Sequence, residues 1–100
     1  MTDLFARTQA EFYRHRGDFL QHELDACSRS IEVASTMWLK GDRKLAEKAL
    51  AEGQAGYAGL QRMMSDPAQT RRLSIKVKQE LTGKMKALGA RLEALQRSRT

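Results

Sequence analysis

Residues 38–46 read WLKGDRKLA and residues 64–69 read MSDPAQ, and these two stretches decide how the chain is divided. Each joins a helix stop to a helix start. Gly41 can take the left-handed conformation that ends one helix, and Asp42 can accept the orphan amide hydrogens that open the next. In the second stretch Asp66 is an N-cap acid, Pro67 falls at the first helical position and Gln69 at the position of a capping-box partner. The segments between run over residues 19–40, 43–64 and 67–97. Connections this short force consecutive helices to fold back as antiparallel neighbours.

Apolar periodicity fills in the three segments. At 100° per residue, Leu20, Leu24, Cys27, Ile31, Ala34 and Trp38 form one stripe with spacings of four and three. The second segment gathers Ala46, Ala49, Gly53, Tyr57, Leu60 and Met64, with Leu50 on one flank and Leu45, Gly56 and Met63 on the other. That arc is about 140° wide, broader than a two-stranded seam, and so requires two neighbours. The third segment aligns Leu73, Val77, Leu81, Met85, Leu88, Leu92 and Leu95. Leu73–Lys78 alternates like a strand, but a lone strand would leave its backbone groups unpaired. The stretch is therefore read as helix, with Ile75 pointing away from the core.

Composition agrees. Only ten residues are β-branched, against twelve leucines and many Ala, Glu, Lys, Arg and Gln, all good helix formers. At 100 residues the chain has room for one domain. The fold class expected is all-α: an antiparallel three-helix bundle, residues 18–97, with long first and third helices and an N-terminal helical extension over residues 1–17.

Gly17 is the ambiguous point of that extension. Phe5, Phe12 and Phe19 recur every seven residues, and on a continuous helix they are expected to share the face of Cys27. The alternative is a break at Gly17-Asp18. The continuous helix is preferred, and then helix one projects beyond one end of the bundle and helix three beyond the other. Two apolar overhangs call for a partner chain.

No apolar run approaches the roughly 20 residues that span a bilayer, and no basic-then-apolar leader opens the chain. Together with the single cysteine, this leads to an expectation of the cytoplasm and no membrane partner. The net charge of +6 is uneven. Residues 1–64 carry nine basic and nine acidic groups, residues 65–100 nine and three. Arg72, Lys76, Lys86 and Arg97 point outward on helix three and form a candidate anion-binding surface, with Arg71, Lys78, Lys84 and Arg91 on the flanks. No helix-turn-helix pattern, zinc spacing or interleaved aromatics accompany them, so nucleic acid ranks below a protein partner.

Nothing in the sequence assembles an active site, and neither a cofactor nor catalytic residues are expected. Glu11, His15, Asp18 and His22 share one helical stripe with metal-like spacing, but that stripe lies opposite Leu20 and Leu24 and reads as a solvated face. Cys27 sits mid-stripe among aliphatic residues, where a thiol packs as a small hydrophobe. Gly53, Gly56 and Gly59 step through helix two at a propensity cost of about 3 kcal/mol in total. Close helix approach, with Trp38 or another large side chain over Gly53 or Gly56, would offset it; a groove for a partner helix is the functional alternative.

The Gly41-Asp42 turn, followed by an alanine-rich, tyrosine-bearing helix from Leu45 to Met64, resembles the architecture of MIT (microtubule-interacting and transport) domains over residues 19–90. That resemblance implies a module whose helix grooves bind amphipathic peptides; the basic third helix departs from the family's usual character. The function expected is thus a non-enzymatic, self-associating helical interaction or adaptor module, with a nucleic-acid-associated basic protein as the alternative. Phe5, Phe12, Gly56, Gly59, Ile75, Leu92 and Leu95 form the candidate partner surface.

Overall fold

A computed structural model describes the backbone of residues 2–71 and 73–99 and the side chains of residues 17–71 and 73–98. Among the described residues the chain is all helix and turn, with α1 at Thr2–Leu39, α2 at Arg43–Ser65, α3 at Pro67–Thr70 and α4 at Ile75–Arg99. α1 is one uninterrupted helix of 38 residues, so Gly17 does not break it.

The first connection closes as the sequence requires. Gly41 has φ of 82°. Its N–H donates to the Trp38 carbonyl at 3.1 Å and that of Asp42 to Met37 at 2.9 Å, the paired bonds of a Schellman stop. The Asp42 carboxylate then accepts from the Leu45 N–H at 3.2 Å and starts α2. Asp66 works twice in the same way. Its N–H donates to Met63 at the end of α2, and its carboxylate accepts from Ala68 at the start of α3. Because the Asp66 N–H is already committed to Met63, Gln69 does not complete a capping box.

The third segment differs from expectation. It is not one helix over 67–97, because α3 ends after one turn and α4 begins afresh at Ile75. Three local causes act together. β-Branched Thr70, Ile75 and Val77 weaken helix propensity, and the buried Thr70 hydroxyl donates to the Asp66 carbonyl at 3.2 Å. Ser74 then offers a new N-cap, its hydroxyl accepting from Val77 N–H at 3.1 Å. The strand-like alternation over 73–78 is thus the signature of a helix restart. Leu73 turns in against the core while Ile75 stays 75% exposed.

α2 runs antiparallel to α1, and α4 returns parallel to the C-terminal half of α1. Registers are fixed by close approaches. A Cβ placed on Gly53 would lie 3.2 Å from Ile31 Cγ1, and one on Gly56 3.7 Å from Cys27 Cβ. The residues over these glycines are therefore Ile31 and Cys27; Trp38, expected there, lies at the far end of the pair, where it lines a small cavity with Ala46 and stacks 5.6 Å from the Arg43 guanidinium. α4 meets α1 where Lys84 Nζ donates to Gln21 at 2.7 Å and Arg91 to Ser28 at 3.4 Å. Ser98 shares a surface hollow with Ser35, so α4 ends within the span of α1. The expected projection of helix three past the bundle is corrected accordingly: α3 ends at Thr70 and α4 starts afresh at Ile75 behind the Ser74 cap, so the shortened helix ends beside Ser35.

The core is built from the predicted stripes. Leu20, Leu24, Cys27, Ile31 and Ala34 of α1 meet Ala49, Leu50 and Leu60 of α2 and Leu81, Met85, Leu88 and Leu92 of α4. Each fully buried Leu or Ile is worth about 1.5–3 kcal/mol relative to exposure. Gly83 contributes nothing to this packing, since a Cβ there would find open space within 4 Å. Gly83→Ala is therefore expected to stabilise the protein by about 1 kcal/mol, the helix-propensity difference, and a denaturant midpoint that moves down would contradict this.

Candidate functional site

The predicted surface residues separate into three groups. Phe5, Phe12 and Arg72 fall outside the described side chains. Leu92 belongs to the interior, and Gly56 is half-buried, facing Cys27 of α1. Leu92 is 5% exposed and packs in the core, which corrects its assignment to a partner surface; the cause is the register of α4, which places it over Ile31 and Gly53. Leu95, half-buried, packs against the same core instead of standing free. Ile75, Gly59, Lys76, Lys86 and Arg97 are at the surface, Gly59 being half-covered.

The cations of α4 do not form one stripe. Lys84 and Arg91 reach across to α1, where Arg91 also lies 3.9 Å from Glu32. Lys76 and Lys86 face water on the other side. The Arg91–Glu32 pair is well solvated and contributes little to stability.

Cys27 is closed to chemistry. Its S–H donates to the Gly53 carbonyl at 3.2 Å inside the α1–α2 contact, and burial pushes the thiol pKa up, away from the reactive thiolate. Among the described residues no three His, Cys, Asp or Glu side chains come together as a metal site; Asp18 and His22 are exposed, and Glu11 and His15 lie outside the described side chains. Two hollows occur. One, about 10 Å³ beside Trp38 and Leu50, has room for no more than one water. The other is an open depression of about 240 Å³ between α1 and α4, lined by Ile31, Ser35, Arg91, Ala94, Leu95 and Ser98. It presents one cation and two hydroxyls to solvent, without a buried nucleophile or base to pair with them.

The most distinctive surface is an apolar flank on α1, on the side of α2 away from α4. Phe19 is 46% and Val33 47% exposed, and Ala26 is exposed between them, all seven residues apart. Phe19 was expected on the face of Cys27; eight residues carry it about 80° past that face, out of the core. Opposite this flank α2 supplies half-exposed Leu45, partly covered Met63 and Gly59, where a Cβ would meet only the tip of Arg62 at 3.9 Å. Of these residues the partner surface read from the sequence contained Gly59 alone; Ala26 and Val33 continue the seven-residue spacing of the phenylalanines with smaller side chains, which hid the repeat.

The fold and this surface define a small all-α bundle with an apolar flank on its longest helix, and no helix among the described residues is long and apolar enough to cross a membrane. No protein-family model, curated protein or solved structure matches the chain.

Proposed function

We propose that this protein is a non-enzymatic helical interaction module that associates with itself, acting in the cytoplasm. The observation that carries the reading is the apolar flank of α1, where Phe19, Ala26 and Val33 lie exposed at heptad spacing. A seven-residue apolar repeat on a helix surface is the pattern that another helix covers. A bundle of this size gains nothing from leaving two large side chains half in water, and burying them against a partner is worth about 25 cal/mol per Å². The amphipathic-peptide binding implied by the resemblance to MIT domains is the same chemistry. Light scattering on the full chain over a range of concentrations tests self-association, with a mass above that of one chain expected. A single-chain mass throughout would remove it.

The second reading, association with nucleic acid, is supported by the concentration of positive charge in the last third of the chain and by exposed Lys76 and Lys86 on α4. Phosphate contacts respond steeply to salt, so retention on a polyanion column that persists above about 50 mM salt would favour it. Elution below that concentration would leave the protein-interaction reading alone.

A further inference from the structure

We propose that Ser74 is a phosphorylation site for an arginine-directed serine kinase, and that the phosphate fastens the start of α4. The proposal is independent of both functional readings above and stands whichever of them holds.

The first observation is where Ser74 lies. Among the described residues it is the one serine or threonine outside the helices, in the break between Thr70 of α3 and Ile75 of α4, and it is exposed. A kinase needs its target hydroxyl on backbone that can lie extended in its cleft, and a hydroxyl inside a helix requires that helix to unwind. The break is held by isolated turn bonds, Arg71 N–H to the Pro67 carbonyl at 2.9 Å and Leu73 N–H to that of Thr70 at 3.0 Å. A segment with so few backbone bonds opens at lower cost than the helices on either side.

The second is the company Ser74 keeps. Arg71 stands three residues before it and is exposed, and Ile75 follows it at 75% exposure. Kinases choose substrates by charge pattern. An arginine-directed kinase sets carboxylates against a guanidinium at this distance, where charge-assisted hydrogen bonds form, and an apolar hollow against the residue after the target. Ile75, left out of the core, then has a reason to face water. Ser65 is the internal contrast. Arg62 stands three residues before it, but Ser65 is the last residue of α2 and is followed by the acid Asp66.

The third is what the phosphate would meet. The Ser74 hydroxyl caps α4, accepting from Val77 N–H at 3.1 Å. No acid occupies the first turn of α4, and Lys76 and Lys78 add positive charge at the positive end of the helix dipole. Phosphoserine brings a charge of about −1.5 to −2 and three strong acceptor oxygens to that end. In the transfer, the γ-phosphorus of ATP parts from the oxygen that bridges it to the β-phosphate and bonds to Ser74 Oγ. The hydroxyl proton passes to the kinase's catalytic carboxylate, and ADP leaves.

The test uses the full chain, ATP and the purified catalytic subunit of an arginine-directed serine kinase, read by intact mass and peptide mapping. One phosphate is expected, on Ser74. Ser74→Asn keeps a good N-cap while removing the acceptor, so the folded chain should lose the label. Arg71→Ala should slow labelling about tenfold or more, as loss of a hydrogen-bonded charge requires. Amide exchange over residues 75–78 of the phosphorylated chain should slow about two- to fivefold, with a raised thermal transition. No incorporation, a phosphate on Ser65 in place of Ser74, or a rate indifferent to Arg71→Ala overturns the site. Labelling of Ser74 with unchanged or faster exchange overturns the fastening of α4 and leaves the site standing.

Discussion

Leu60→Ala is expected to lower the unfolding free energy by about 2–5 kcal/mol, the range for deleting a buried leucine side chain from a packed core. Leu60 is 1% exposed and belongs to the cluster shared by α1, α2 and α4. The loss has two parts, the transfer free energy of the removed carbons and the cavity left when three helices cannot close around alanine. Alanine's better helix propensity offsets only a few tenths of a kcal/mol. Against a total stability of about 5–15 kcal/mol, such a loss is large. It should appear in urea as a lower midpoint with an unchanged slope, at one fixed protein concentration because association shifts apparent stability. Leu45→Ala is the control, since Leu45 is half-exposed and its truncation should stay within about 0.5 kcal/mol. Equal effects at the two positions would mean that the core is not where this structure places it.

The second large effect is expected where α4 passes Tyr57. A Cβ on Gly89 would lie 2.5 Å from the Tyr57 hydroxyl and 3.1 Å from the ring carbon that bears it. Gly89→Ala should gain about 1 kcal/mol from helix propensity and lose about 1–3 kcal/mol to overpacking, because the ring must swing out or the helices must part. Tyr57→Phe removes the atom in closest conflict. In that background Gly89→Ala should be less harmful or even stabilising, so the double-mutant cycle should show a coupling of about 0.5–3 kcal/mol. Additive effects would show that Tyr57 does not sit over Gly89. Gly83→Ala, six residues earlier on the same helix and in open space, supplies the uncoupled reference.

These two glycines show why part of the structure could be read in advance and part could not. Gly83 and Gly89 look alike in the sequence; only the partner across the helix interface separates a position where a methyl group is welcome from one where it collides. Gly53 and Gly56 were legible as places of close approach, because two glycines on the apolar arc of a helix need a packing reason. Which side chain filled them was not. Ile31 and Cys27 do so, and Trp38 lies elsewhere, since the antiparallel register of α1 and α2 is a property of the pair.

The candidate surface followed the same division. Phe19 was recognisable as one of three phenylalanines at seven-residue spacing, and Ile75 as an apolar residue with no place in a stripe. Leu92 was misread because its exposure depended on how far helix three projected, and that depended on the helix restart at Ser74. Ser74 was the available signal. A serine ahead of an apolar-periodic run is a helix start, but the stripe from Leu73 through Leu95 was regular enough to suggest a helix running through it.

What the sequence by itself determined is local: three apolar stripes at helical spacing, the stops and starts at Gly41-Asp42 and Asp66-Pro67, and a buried Cys27; the continuity of α1 through Gly17 stayed open between two readings. Such features depend on residues within one or two turns of each other, whose hydrogen bonds and side-chain spacing are written in the chain. The tertiary structure alone decided the registers between helices, the burial of Leu92 and which flank of α1 stays uncovered. Those depend on contacts between residues as far apart as Gln21 and Lys84, whose distance in space is set by the packing of the whole bundle.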